Sequence, residues 1–128
     1  ARYFADGGAI FERLNEESML LVHIEGVEGL ENLEEIVTVP GLDVIFLGPY
    51  DLSQSLGIPG QVHDPRVVDR MKEAVELING AGLTVGTFAD SPETAKMWID
   101  AGVKYISLSV DTGIYLRGCR QMVEEVKG

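Results

Sequence analysis

Thiol chemistry is nearly absent from this chain of 128 residues: Cys119 is its one cysteine. That excludes an internal disulfide and a zinc site built from several thiolates. It also suits a reducing compartment, and the expected location is cytoplasmic. Positive charge is scarce as well, with 10 Lys and Arg against 21 Asp and Glu and a net charge of -11. Such a surface repels nucleic acid and anionic membranes. The densest basic group, Arg66, Arg70 and Lys72, is interleaved with Asp64, Asp69 and Glu73. No apolar run approaches the roughly 18 residues that suggest a membrane span. The first residues, Ala1-Arg2-Tyr3-Phe4-Ala5-Asp6, do not read as a signal peptide.

Several motifs are missing too. There is no P-loop, no GxGxxG after a strand and no GxSxG elbow. No lysine stands at the C-terminal end of a strand-like run, since Lys104 precedes the last such run. A Schiff-base mechanism therefore lacks its nucleophile. No arginine follows a strand-like run either, so an anionic intermediate has no evident guanidinium partner.

What is present is a βα alternation. The strand-like runs are Met19-Leu20-Leu21-Val22-His23-Ile24-Glu25, Leu42-Asp43-Val44-Ile45-Phe46-Leu47-Gly48, Leu83-Thr84-Val85-Gly86-Thr87-Phe88 and Tyr105-Ile106-Ser107-Leu108-Ser109-Val110. All are apolar on both faces or nearly so, as expected of parallel strands covered on both sides. Helical patterns lie between them. One covers 30–37, and one carries the stripe Val67, Val68, Met71, Val75 and Ile78. Asn79-Gly80-Ala81-Gly82 supplies a glycine C-cap. Ser91-Pro92-Glu93 reads as N-cap, N1 proline and first-turn acid. A last helix is expected over 113–126, with Asp111 as its N-cap, and 9–15 reads as the end of an earlier helix. A longer loop is expected over 52–64. The chain is one domain, 1–128, of α/β class. Four βα units fit a small doubly wound sheet or half of a (β/α)₈ barrel, and the pattern alone leaves both open. An isolated half-barrel would expose two strand edges.

The residues that bear chemistry sit at strand ends. Glu25 closes the first run, and Asp51 follows the second across Gly48-Pro49-Tyr50. Parallel strands joined by a helix bring their C-terminal ends to one edge, where α/β proteins place their sites. Singly, Glu25 also suits a helix start and Asp51 a turn cap with Ser53. Together they read as ligands of a hard divalent cation, Mg²⁺ or Mn²⁺. His23 shares a strand face with Glu25. It suits either a hydrogen-bonded core histidine or a substrate-side group. His63, before Asp64-Pro65, reads as a solvated residue or a helix-entry residue. Thr87 and Ser109 are weak candidates for the pocket.

The segments Val22-His23-Ile24-Glu25-Gly26-Val27-Glu28-Gly29-Leu30-Glu31-Asn32-Leu33 and Gly48-Pro49-Tyr50-Asp51-Leu52-Ser53 resemble the two metal-ligand motifs of the HpcH/HpaI family of class II pyruvate aldolases. Asp111-Thr112 and the last helix resemble that family's final βα unit. The resemblance runs along essentially the whole chain but covers only the C-terminal half of enzymes about twice this length. It implies half of a TIM barrel, with four parallel strands alternating with helices. It also implies a lyase that cleaves 4-hydroxy-2-oxo acids to pyruvate and an aldehyde through a metal-stabilised enolate. On it, Glu25 and Asp51 ligate Mg²⁺ or Mn²⁺, and the backbone around Tyr50 and Asp51 holds the pyruvate carboxylate. His23 stands where the family has a glutamine that contacts pyruvate. The family's histidine base and arginine belong to the other half, so no catalytic residue is assigned in this chain. The partners expected are small 2-oxo acids and aldehydes, with no nucleic acid and no membrane, in a homo-oligomer. The alternative is a non-catalytic half-barrel that keeps metal or pyruvate binding, or only the capacity to assemble. A phosphoenolpyruvate-type lyase, similar in fold to citrate lyase β-subunits, would need CoA- or phosphate-binding arginines that do not stand out here.

Overall fold

The computed structural model describes residues 13–14 and 16–128. The helix end read over 9–15 lies outside the described residues except for Arg13 and Leu14, which are helical. Four strands alternate with helices: β1 (Leu21–Ile24), α1 (Val27–Glu31), α2 (Leu33–Ile36), β2 (Val44–Leu47), α3 (Pro49–Ser55), α4 (Pro65–Gly80), β3 (Thr84–Ala89), α5 (Pro92–Asp100), β4 (Tyr105–Leu108) and α6 (Asp111–Lys127). All neighbours pair in parallel, in the order β1-β2-β3-β4. A doubly wound sheet reverses its strand order at a switch point. This order never reverses, as in a barrel wall.

The sheet has two unlike faces. Toward the helices, Ile24, Ile45, Leu47 and Val85 pack with Leu33, Leu52, Val67, Met71, Val75, Ile78 and Trp98 in one buried core. The other face carries a layer that the register sets side by side: His23 opposite Phe46, Phe46 opposite Gly86, and Gly86 opposite Tyr105. A side chain at Gly86 would bring its Cβ within 2.8 Å of both Phe46 and Tyr105, so glycine makes room for the two rings. Phe46 meets Tyr105 edge-on with ring centroids 6.0 Å apart.

Three expectations are corrected. The helix over 30–37 starts earlier and breaks at Asn32, whose side-chain amide donates to the Glu28 carbonyl at 2.8 Å. A side chain that competes for backbone carbonyls in this way ends the turn. The first part of the loop over 52–64 is helical: α3 begins at Pro49 in the first turn and buries Leu52 and Ser53. Finally, β4 is not covered on both faces. Tyr105, Ser107 and Leu108 are exposed because β4 is an edge and no residue of α6 is buried.

Candidate active site

Glu25 follows β1 directly, and Gly48 follows β2 directly. Their strands are locked at this point, where the Gly48 amide donates to the Ile24 carbonyl at 3.0 Å. The Glu25 side chain then lies against the Gly48 backbone. A Cβ on Gly48 would stand 2.8 Å from Glu25 Cβ and 3.2 Å from its Oε2. Asp51 is carried by the first turn of α3. Its neighbour Ser53 does not bond it. The Ser53 hydroxyl donates to the Tyr50 carbonyl at 2.6 Å and accepts from the Gly60 amide at 2.9 Å, which folds the following loop back under α3.

These residues open onto one cleft of about 460 Å³, lined by His23, Glu25, Phe46, Gly48, Tyr50, Asp51, Phe88 and Asp90, with Pro49 and Val110. His23 stacks on Phe46 with centroids 4.7 Å apart and planes 20° from parallel. Its Nδ1 lies 3.6 Å from Glu25 Oε2, an ion-pair distance when the imidazole is protonated. Both side chains are about half exposed. Across the cleft, the Tyr50 phenol donates to Asp90 Oδ2 at 2.9 Å, and its ring meets Phe88 edge-on at 6.0 Å. Burial of the phenol, and then the Asp90 carboxylate beside it, push the Tyr50 pKa above the ordinary tyrosine value. Both effects disfavour a phenolate.

Among the described residues, the lining holds three carboxylates and one imidazole, and no lysine or arginine. Among the described residues, no group of three or more His, Cys, Asp and Glu forms a ready-made metal cage. A pair of carboxylates, with water and substrate oxygens completing the shell, is how Mg²⁺ is commonly held. Glu25 and Asp51 fit that donor set, and Gly48 leaves Glu25 the room to turn into the cleft.

The structure brings together His23, Glu25, Tyr50 and Asp51, as the sequence suggested. It separates others. Thr87 is fully buried and donates to the Leu47 carbonyl at 2.8 Å, so it serves the sheet. His63 is exposed and does not line the cleft. Asp111 is not the N-cap of α6. Val110 holds that place, and Asp111 lies in the first turn and accepts from the Thr112 amide at 2.7 Å. Ser109 does not line the cleft but sits at φ 59°, rare for a residue with a side chain, and accepts from Arg117 at 2.7 Å. A guanidinium does therefore reach a strand end, folded back from α6. Asp90 and Phe88 also line the cleft and were not picked out from the sequence. Asp90 follows β3 directly, so the strand-end logic that picks out Glu25 applies equally to it.

The model of the HpcH/HpaI aldolase/citrate lyase family matches residues 4–117. Hydroxypyruvate/pyruvate aldolase of Pseudomonas aeruginosa is 33% identical over 123 residues, which are 94% of this chain and 46% of the relative. The 2-keto-3-deoxy-L-rhamnonate aldolase of Escherichia coli is 36% identical over 103 residues, 80% of this chain and 39% of the relative. A crystal structure of an HpcH/HpaI aldolase/citrate lyase family protein from Burkholderia cenocepacia J2315 superposes with a TM-score of 0.91 at 32% identity. That match covers 95% of this chain and 48% of the other. The chain belongs to the HpcH/HpaI aldolase/citrate lyase family and spans about half the length of the relatives it matches.

Proposed function

We propose that this chain carries the metal- and 2-oxo-acid-binding half of a divalent-metal-dependent aldolase that cleaves 4-hydroxy-2-oxo acids to pyruvate and an aldehyde. The observation that carries this reading is the convergence of Glu25 and Asp51, from adjacent parallel strand ends, on one cleft with Gly48 between them. Membership in a family whose relatives include aldolases supports the same chemistry.

A divalent cation, when bound, supplies Lewis acidity that favours negative charge on the 2-oxo acid as the carbon–carbon bond breaks. The chain's own residues then have separable tasks. Glu25 and Asp51 hold the cation. The amides of Tyr50 and Asp51, in a first turn with no side-chain cap, are free donors for the substrate carboxylate. His23, held flat on Phe46, offers a polar contact beside Glu25. Phe46, Phe88 and Val110 limit water at the cleft walls.

The test is calorimetry with Mn²⁺. Glu25→Gln and Asp51→Asn should each weaken binding by at least about tenfold, since one carboxylate alone holds a hard cation poorly. Unchanged affinity in both variants overturns the assignment. Turnover by this chain alone should be weak or absent, because the histidine base and the arginine implied by the family resemblance belong to the other half, and among the described residues the cleft's basic groups without a proposed metal role are His23 and Asp90. Robust retro-aldol activity with Mg²⁺ would overturn that expectation and point to His23 or Asp90 as the base.

A further inference from the structure

The cleft runs across the strand ends of the sheet. Glu25 and Asp51 occupy the β1 and β2 side, and Asp90 and Phe88 the β3 side. If the cation and the 2-oxo acid sit at the first side, the rest of the substrate faces the second. That second wall has a definite hydrogen-bonding character. The Tyr50 hydroxyl spends its one proton on Asp90 Oδ2. What remains toward the cleft is acceptor capacity: the phenol oxygen's lone pairs and the Asp90 carboxylate. Among the described residues, no lysine or arginine lines the wall to offset it.

We propose that Tyr50 and Asp90 form a specificity wall that selects uncharged, hydroxyl-bearing aldehydes and rejects aldehydes that carry a carboxylate. The inference rests on the aldolase reading above and deepens it. A hydroxyl group donates to these acceptors. A carboxylate has no proton to donate and meets a like charge instead. The phenol is held by the Asp90 bond, and its ring stands edge-on to Phe88 with centroids 6.0 Å apart, so the wall is in place before a ligand arrives.

Ligand-observed NMR titrations test this on the purified 128-residue chain with Mg²⁺ and pyruvate present, using D-glyceraldehyde and 4-oxobutanoate as the two probes. The wild-type chain should bind D-glyceraldehyde about tenfold more tightly than 4-oxobutanoate. Asp90→Asn, which removes the charge but can keep a bond to Tyr50, should abolish the discrimination by raising 4-oxobutanoate affinity. Tyr50→Phe should weaken D-glyceraldehyde severalfold and leave 4-oxobutanoate unchanged. Equal binding of the two probes, binding of neither, or a wild-type ratio retained in both variants overturns the wall. Mn²⁺ calorimetry on the same samples separates the two readings. Intact metal binding with no discrimination sinks this inference alone, whereas discrimination without metal binding sinks the aldolase reading and leaves the wall standing.

Discussion

A methyl group at Gly48 would meet the Glu25 side chain at 2.8 Å, well inside normal contact. The backbone there has φ -92°, which any residue adopts, so the requirement for glycine is space rather than conformation. Gly48→Ala should push Glu25 out of the cleft. The expected result is loss of Mn²⁺ affinity in calorimetry, with a stability cost of about 1–3 kcal/mol by urea unfolding as the neighbours give way. Retained affinity would show that Glu25 reaches a cation without that room. The meeting of Glu25 and Asp51 in one cleft was legible in the sequence because parallel strands send their C-terminal ends to one edge. Asp90 obeys the same rule and was passed over, its neighbours Ser91-Pro92-Glu93 being read only as a helix start. The His23–Phe46 stack was not legible, because strand register decides which residues of two strands face each other. The return of Arg117 to Ser109 depends on a positive φ that nothing in the residue type announces.

Helix α4 was read almost residue for residue. Val67, Met71, Val75 and Ile78 are buried as the stripe required, joined by Ala74, and only Val68 slips to the margin. The loop ending at Asp64 placed its start, but the cap itself was not read. Asp64 is the N-cap, accepting from the Arg66 amide at 2.9 Å while its two oxygens take the Arg66 guanidinium at 2.8 and 2.9 Å. The Arg66 side-chain bond, followed by the backbone bond, lowers the Asp64 pKa to about 2. The sign follows. A carboxyl with a depressed folded-state pKa stabilises the fold above its unfolded value near 4 and loses that contribution as pH falls through about 2. Asp64→Ala should therefore lower the thermal midpoint at pH 7, and the gap to wild type should close toward pH 2. A gap that is constant over that range would refute the ionised cap. Other elements misled for physical reasons. Helix α3 is too short for a hydrophobic period, so Pro49 was its only signal. β4 carries an apolar sequence, yet its burial depends on what covers an edge strand, which no local pattern records.

At the scale of the whole molecule, the unreversed strand order settles what the alternation of elements left open between an open sheet and a barrel wall. It also leaves surface that a folded chain does not normally keep wet. Along α6, Tyr115, Leu116, Cys119, Met122, Val123 and Val126 follow helical spacing and form one apolar stripe. None of them is buried, and Met122 and Val126 are 68% and 87% exposed. An amphipathic helix draws most of its stability from packing that face, so α6 needs a partner surface. The edge strand β4, with Leu108 and Val110 also exposed, lies directly before it in the chain. A second copy of the chain offers both surfaces at once, and exchange of like elements closes most simply in pairs. The purified chain is therefore expected to be an even-numbered homo-oligomer by multi-angle light scattering. Leu116→Ser combined with Met122→Ser should shift it toward monomer. The buried core against α4 and α5 should survive the change, which retention of the near-ultraviolet circular dichroism of Trp98 would report. A wild-type chain that runs as a well-behaved monomer at micromolar concentration would refute the self-association and leave the α6 stripe without its second copy.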